Sequence, residues 1–317
     1  MNDFLFDPTA GEIVREPPGT GPGYWAGAPG ATYDPLTDRF YLTYRYRRPR
    51  GVVPDRGAEF RIAVSDDGIR FTDLWRLEKS ELASASIERG CLRRLPDGRF
   101  ALYLSYVDPA DQRWCVDRLE AATPDGFAIT AREPLFRAPD LGLEAIKDPW
   151  VLVTGPALWM FTSIAALAVE HASAEQLHAT ADCYDTGLIL SHTGLAVSSD
   201  GRRWEWLGSV LAATAPGRVW DGYSARIGCV LPVGNLFVAY YDGAIGVEDH
   251  YDERTGLAVS FDLRTWTRLT PDAPVLASPH ATGCCRYFDV VVARGRRYHY
   301  YEFARPDGAH ELRVFVR

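Results

Sequence analysis

"TGLAVSSDGRRWEWLGSVL", Thr193 to Leu211, and "TGLAVSFDLRTWTRLTPDAPVL", Thr255 to Leu276, open alike, turn at an aspartate and continue through a tryptophan. Each reads as a strand, an Asp-rich turn and a second strand. Gly or Asp supplies the positive φ or the side-chain-to-backbone bond that such a turn needs. Two earlier stretches have the same form: "RIAVSDDGIRFTDLWRLE", Arg61 to Glu78, and "DRLEAATPDGFAITAREPL", Asp117 to Leu135. Asp66, Asp67, Asp200 and Asp262 recur with the unit and read as turn residues.

A second hairpin precedes each unit. "GATYDPLTDRFYLTYRYR", "GCLRRLPDGRFALYLSY", "DPWVLVTGPALWMFTSI", "IGCVLPVGNLFVAYYDG" and "FDVVVARGRRYHYYEFA" are five such hairpins, the last followed by "HELRVFVR". Tandem hairpin pairs predict an all-β, five-bladed β-propeller forming a single domain over residues 1–317. A β-sandwich does not account for five pairs in tandem. The last unit is one strand short, and "DFLFDPTAGEIVRE" near the N-terminus is expected to supply it and close the ring. Residues 165–183, "AALAVEHASAEQLHATADC", are rich in Ala, Glu and Leu and predict a helical insertion in the third blade.

The 317 residues carry a formal net charge of −8, which argues against a nucleic-acid partner. No apolar run is long enough for a membrane span, and no signal peptide is read. The six cysteines lack CxxC spacing and predict a reduced, cytoplasmic protein. Cys284-Cys285 reads as two small buried strand residues. His192, His250, His280 and His299 lack metal-ligand spacing, so no metal or other cofactor is expected, although a central ion on one histidine is left open. Oligomeric state is not legible.

In a propeller the first strand of each blade lines the axis, and ligand sites form where those strands begin. The segments there are "YWAGAPG", "SIERG", "AIKDPW", "VWDGYSARIG" and "TGCCRYF". They bring Glu88, Arg89, Lys147, Asp148, Asp221, Arg226 and Arg286 towards one cavity, beside Tyr24, Trp25, Trp150, Trp220, Tyr223 and Tyr287. Carboxylates among aromatic rings suit sugars, whose C–H faces stack on the rings. Glycoside cleavage needs one protonated carboxyl and usually a second carboxylate. Asp148 and Asp221 could instead bond neighbouring amides, and Arg226 and Arg286 could be inter-blade ion-pair partners.

These motifs resemble the five-bladed propeller glycosidases, including the arabinanase-like family 43, and in texture most of all glycoside hydrolase family 130. "GATYDPLTDRFYLTYR", "AVSDDGIRF", "AIKDPWVL" and the pair "VWDGYSARIG" and "YYDG" carry the likeness. The resemblance implies a sugar or sugar-like small-molecule substrate, and the dense Arg/Lys set suits one that carries an anionic group. Three departures stand out: Arg89 occupies the family's proton-donor position, Asp242 replaces the phosphate-binding histidine, and "WAGAPG" lacks the first-blade aspartate.

The expected activity is inverting glycoside hydrolysis rather than phosphorolysis. Glu88 is the expected general acid, with Asp148 and Asp221 as base or pKa-setting partners. Arg89, Lys147, Arg226, Asp242 and Arg286 are expected to bind substrate, and Trp25 and Trp220 to stack on it. The alternatives are a non-catalytic sugar-binding propeller, or one repurposed for lyase, transferase or isomerase chemistry.

Overall fold

A computed structural model describes residues 4–317, so Met1 to Asp3 of the expected domain and of its N-terminal stretch lie outside the described residues. The chain is built from antiparallel meanders. After β1 (Glu12–Arg15) come β2 (Trp25–Asp34), β3 (Arg39–Arg48), β4 (Arg56–Ser65) and β5 (Thr72–Glu78), paired in that order. The second group is β6 (Ile87–Arg94), β7 (Phe100–Val107), β8 (Trp114–Ala121) and β9 (Glu133–Phe136). The third is β10 (Ala145–Thr154), β11 (Ala157–Leu167), β12 (Ile189–Ser198) and β13 (Glu205–Leu211). The fourth is β14 (Ser224–Val233), β15 (Leu236–Ala244), β16 (Arg254–Ser260) and β17 (Thr267–Arg268). The last has β18 (Cys285–Ala293), β19 (Arg296–Ala304) and β20 (His310–Val316). Strand β1 pairs antiparallel with β20, so the N-terminal segment covers the edge left by the C-terminal one.

The recurring turn has a common chemistry. Ser65, Ser198 and Ser260 each accept a bond through Oγ from the amide three residues on, at 2.9 Å. Asp67, Asp200 and Asp262 each accept two amides of the following residues, at 2.7–2.9 Å. The turn residue after the aspartate is Gly68, Gly201 or Leu263, with φ of 76°, 72° and 65°. Leu263 takes the same left-handed backbone with its side chain buried in a core shared by the third, fourth and last groups.

First strands gather at the middle. β2 lies against β6, β6 against β10, β10 against β14, β14 against β18, and β18 against β2. Close approach demands small residues there: a Cβ on Gly30 would sit 2.4 Å from the Gly90 carbonyl oxygen. Arg89 of β6 donates to the carbonyls of Pro29, Gly228 and Phe288, at 2.8, 2.7 and 3.3 Å. Asp289 of β18 accepts from the Ala31 amide at 2.6 Å and the Trp150 indole at 2.9 Å. These two side chains together tie all five first strands, and they lie 3.7 Å apart as an ion pair.

The expected insertion is only partly helical. Ala165, Ala166 and Leu167 continue β11, paired with Ser191, Leu190 and Ile189, because the sheet ladder satisfies their backbone groups. Helix α1 is confined to Ala174–His178, opened by a reciprocal Ser173–Gln176 capping box. A single helical turn follows at Cys183–Asp185. All six cysteines are free and buried.

His299 of β19 packs against Phe6, with ring centres 5.0 Å apart, and against Phe315. Burial, followed by Arg297 and Arg317, pushes its pKa from 6.5 down to about 4. The folded state holds this ring neutral while the unfolded chain binds a proton. Stability is therefore fully present above about pH 6.5 and is lost as pH falls towards 4, by about 3 kcal/mol from this group. Urea denaturation at pH 7 and pH 5 measures the loss, and His299→Leu should flatten that dependence.

Candidate functional site

The functional geometry begins with a shared irregularity of the first strands. Pairing with the second strand slips between Gly27 and Gly30, Ile87 and Gly90, and Lys147 and Trp150. It slips again between Ile227 and Cys229 and between Arg286 and Asp289. Such bulges re-aim side chains. Ala28, Glu88, Asp148 and Tyr287 each stand at the first residue of the slip. Three of them, Ala28, Asp148 and Tyr287, have φ of 52°, 55° and 55°, an uncommon conformation for residues with a Cβ. Carboxylates from the neighbouring second strand hold two of these bends: Glu302 accepts the Ala28 amide at 3.1 Å, and Asp242 accepts the Tyr287 amide at 2.9 Å.

Around the bulges runs a buried chain of alternating charge. Arg45 Nε donates to Glu88 Oε2 at 2.6 Å, and Arg47 Nη1 to Glu88 Oε1 at 3.2 Å. Arg45 also reaches Glu302 Oε2 at 3.2 Å. Glu302 Oε1 accepts from Arg286 at 2.7 and 3.0 Å, and lies 2.8 Å from His310 Nδ1. Arg286 Nη1 continues to Glu253 Oε2 at 2.5 Å, and Glu253 pairs in turn with Arg226. Burial alone would raise the Glu302 pKa, but Arg286, Arg45 and His310 hold it well below the usual carboxylate range. Glu88 is likewise lowered against burial, by Arg45, Lys147 and Arg47.

Asp242 behaves differently: burial raises its pKa despite Arg226. Thr255 Oγ1 stands 3.3 Å from Asp242 Oδ1 but 2.7 Å from the Cys285 carbonyl oxygen. Its one proton serves the shorter contact.

Beside this paired network lies a less committed group. Lys147 Nζ is 3.6 Å from Asp148 Oδ2 and stacks on Trp114 and Tyr184, at 5.0 and 4.6 Å from the ring centres. Tyr287 Oη donates to Asp148 Oδ2 over a long 3.4 Å. Among the described residues, Asp148 Oδ1, Arg45 Nη1, Trp25 Nε1 and Tyr184 Oη are buried polar atoms here without a protein partner. The insertion and the loop after β15 roof this region. Asp182 accepts from Arg56, Trp114 and Tyr251, at 3.3, 3.2 and 2.8 Å, and Tyr251 lies under the Arg47 guanidinium.

The structure brings together Trp25, Glu88, Lys147, Asp148, Arg226, Asp242 and Arg286, and separates Arg89, Trp220 and Asp221 from them. Glu88 is gripped as a carboxylate, which removes the proton an acid must give. Arg226 and Arg286 are ion-pair partners of Glu253 and Glu302. Arg89, expected to bind substrate, is turned to the axis, where three main-chain carbonyls and Asp289 engage it.

Asp221 and Trp220 sit over the outer strands of the fourth group. Arg268 of β17 donates to Asp221 Oδ2 at 2.5 Å, and the Trp220 indole donates to the Thr270 carbonyl at 2.9 Å. Both precede β14 by several residues, and the intervening loop carries them outward. Trp25 is in the cluster, yet His310 stacks on it at 4.7 Å, and Arg47 and Arg286 lie 4.7 and 4.9 Å from its ring centre. Little of its face is left for a sugar.

Arg45, Arg47, Glu253, Glu302 and Tyr184 were not anticipated. The alternation in "YRYR", which puts Arg45 and Arg47 on one face of β3, is the signal that could have found two of them.

No protein-family model matches the chain, and no curated protein matches it in sequence. Solved structures do. A structure named as a glycoside hydrolase superposes with a TM-score of 0.70 at 15% identity, over 99% of this chain and 92% of its own. One from the GH130 family of mannoside phosphorylases gives 0.64 at 13% identity, over 98% and 93%. The endo-arabinase of Bacteroides thetaiotaomicron gives 0.61 at 12% identity, over 96% of each chain. Among the described residues no helix is long and apolar enough to cross a membrane. Cyclic packing of the first strands and these superpositions agree: the chain has the fold of the propeller glycosidases.

Proposed function

We propose that the five strand groups are the blades of one five-bladed propeller domain, and that the chain is a glycosidase-like enzyme. Its substrate is a sugar or sugar-like metabolite carrying an anionic group, bound where the first strands begin. One observation carries this reading: among the described residues Asp148 Oδ1, Arg45 Nη1, Trp25 Nε1 and Tyr184 Oη are buried without protein partners, on side chains linked through Tyr287 and Lys147. An unmade buried hydrogen bond costs about 1–3 kcal/mol, and here four such atoms lie on neighbouring charged and aromatic side chains. A ligand with hydroxyls and an acidic group offers them both donors and acceptors.

The roles follow from the geometry. Asp148 has one oxygen free and the other weakly held, so it performs the proton transfer at the reacting bond. Lys147, whose ammonium rests between two rings, and the free edge of Arg45 receive the anionic group. Glu88 holds Arg45 and Arg47 in place and is a positioning residue.

A second reading is favoured by that same locking of Glu88. With one uncommitted carboxylate instead of two, the site also suits proton abstraction from a carboxylated substrate, as in a lyase or isomerase. Incubation with neutral, uronic and phosphorylated glycosides, with and without phosphate, followed by mass spectrometry, tests both. Cleavage confined to anionic glycosides is the expected result. Turnover of neutral glycosides alone would remove the anionic assignment. Binding without any product would favour a sugar-binding propeller.

A further inference from the structure

Three side chains from separate segments meet at the edge of this cluster, and one of them, His310, is shared with it through Glu302. Asp252 lies in the loop before β16, Cys284 immediately precedes β18, and His310 opens β20. Their ligand atoms all lie within 4.8 Å of one another. We propose that Asp252, Cys284 and His310 form a binding site for a zinc-class divalent ion, with its fourth position open towards solvent.

The donor set is the first argument. Thiolate, imidazole and carboxylate together select zinc-class ions over magnesium or calcium, which prefer all-oxygen surroundings. Ligand orientation is the second. His310 Nδ1 is engaged by Glu302 Oε1 at 2.8 Å, which leaves Nε2 to face Asp252 Oδ1 at 3.5 Å. A carboxylate on the far nitrogen of a ligating histidine is the usual outer support of a zinc site. Thr282 Oγ1 donates to Asp252 Oδ1 at 2.8 Å and fixes that carboxylate in the same way.

Access is the third argument. Cys284 and His310 are buried, while the Asp252 side chain keeps 22% of its exposure. An ion can enter past Asp252 and retain a water there. Ligand atoms on a tetrahedral zinc stand about 3.5 Å apart, so binding draws the three groups inward by up to about 1 Å. Cys284 releases its proton on binding. The ion's two positive charges are then balanced by one thiolate and one carboxylate. The opposing explanation is that Cys284 only fills space and His310 only bridges Glu302 and Asp252.

Cobalt(II) separates the two. The full-length chain, stripped with chelator, is titrated with cobalt and read by absorption. The proposal expects one equivalent to produce a thiolate-to-cobalt charge-transfer band, which zinc then abolishes. The band should vanish in Cys284→Ser. Because Cys284 is buried, Asp252→Asn serves as a second variant: it should keep the native circular dichroism while weakening cobalt binding at least about tenfold. Absence of the band in the folded native chain overturns the site. So does a band that survives Cys284→Ser, or an affinity unchanged in Asp252→Asn.

Discussion

Asp148→Asn should lower kcat by at least about a thousandfold on any anionic substrate found by the screen, with KM changed far less. The substitution keeps the size of the side chain and the hydrogen bond from Tyr287, and Asn tolerates the left-handed backbone better than most residues. The φ of 55° at this position is therefore preserved, and folding with it. What is lost is the ability to carry a proton on Oδ1, the cluster's carboxylate oxygen without a protein partner among the described residues. A structural role for Asp148 would show instead as a lower denaturation midpoint with kcat intact. That outcome would end its assignment to the reaction. Glu88→Gln provides the contrast: loosening Arg45 and Arg47 should raise KM more than it lowers kcat.

Glu302→Gln should destabilise the fold by about 3–5 kcal/mol, the scale for leaving a buried charge without its partner. Glu302 is fully buried and serves Arg45, Arg286, His310 and the Ala28 amide at once. Removing its charge leaves the buried guanidiniums of Arg45 and Arg286 with one carboxylate each, Glu88 and Glu253. The two oxygens must also accept from four groups, and an amide offers one accepting oxygen. Urea denaturation at pH 7 measures the loss. A change below about 1 kcal/mol would mean that the alternating chain of charge is not what holds the first-strand bulges.

Both predictions rest on residues that differ in how far the chain announces them. Asp148 stands in "AIKDPW", a charged step into an apolar strand, and the position is visible as soon as the hairpins are aligned. Glu302 stands in "YHYYEFA", where it looks like an ordinary polar position of a second strand. The difference is physical. A first-strand residue is recognised by a local contradiction between charge and burial. A second-strand residue joins the site only because the adjoining bulge turns its face inwards.

"SIERG" makes the same point within two residues. Adjacent positions in an unbroken strand point to opposite faces, but which face looks at the axis and which at the mouth depends on the slip between Ile87 and Gly90. Glu88 meets Arg45 and Arg47, and Arg89 bonds carbonyls of three other strands. Asp221 and Trp220 were misplaced for a related reason. They precede β14 by a loop, and nothing local states which way a loop carries its side chains.

The strand meanders, their Ser-x-Asp turns, the N-terminal strand on β20 and the charged character of the first-strand starts are written in the chain, because each depends on neighbours a few residues apart or on a repeated pattern. The pairing of Glu88 with arginines of β3, the withdrawal of Arg89 to the axis and the meeting of Asp252, Cys284 and His310 are not. Those partners are separated by tens to hundreds of residues. They meet through the register of the bulges and the packing of the first strands against one another, which no local stretch of sequence encodes.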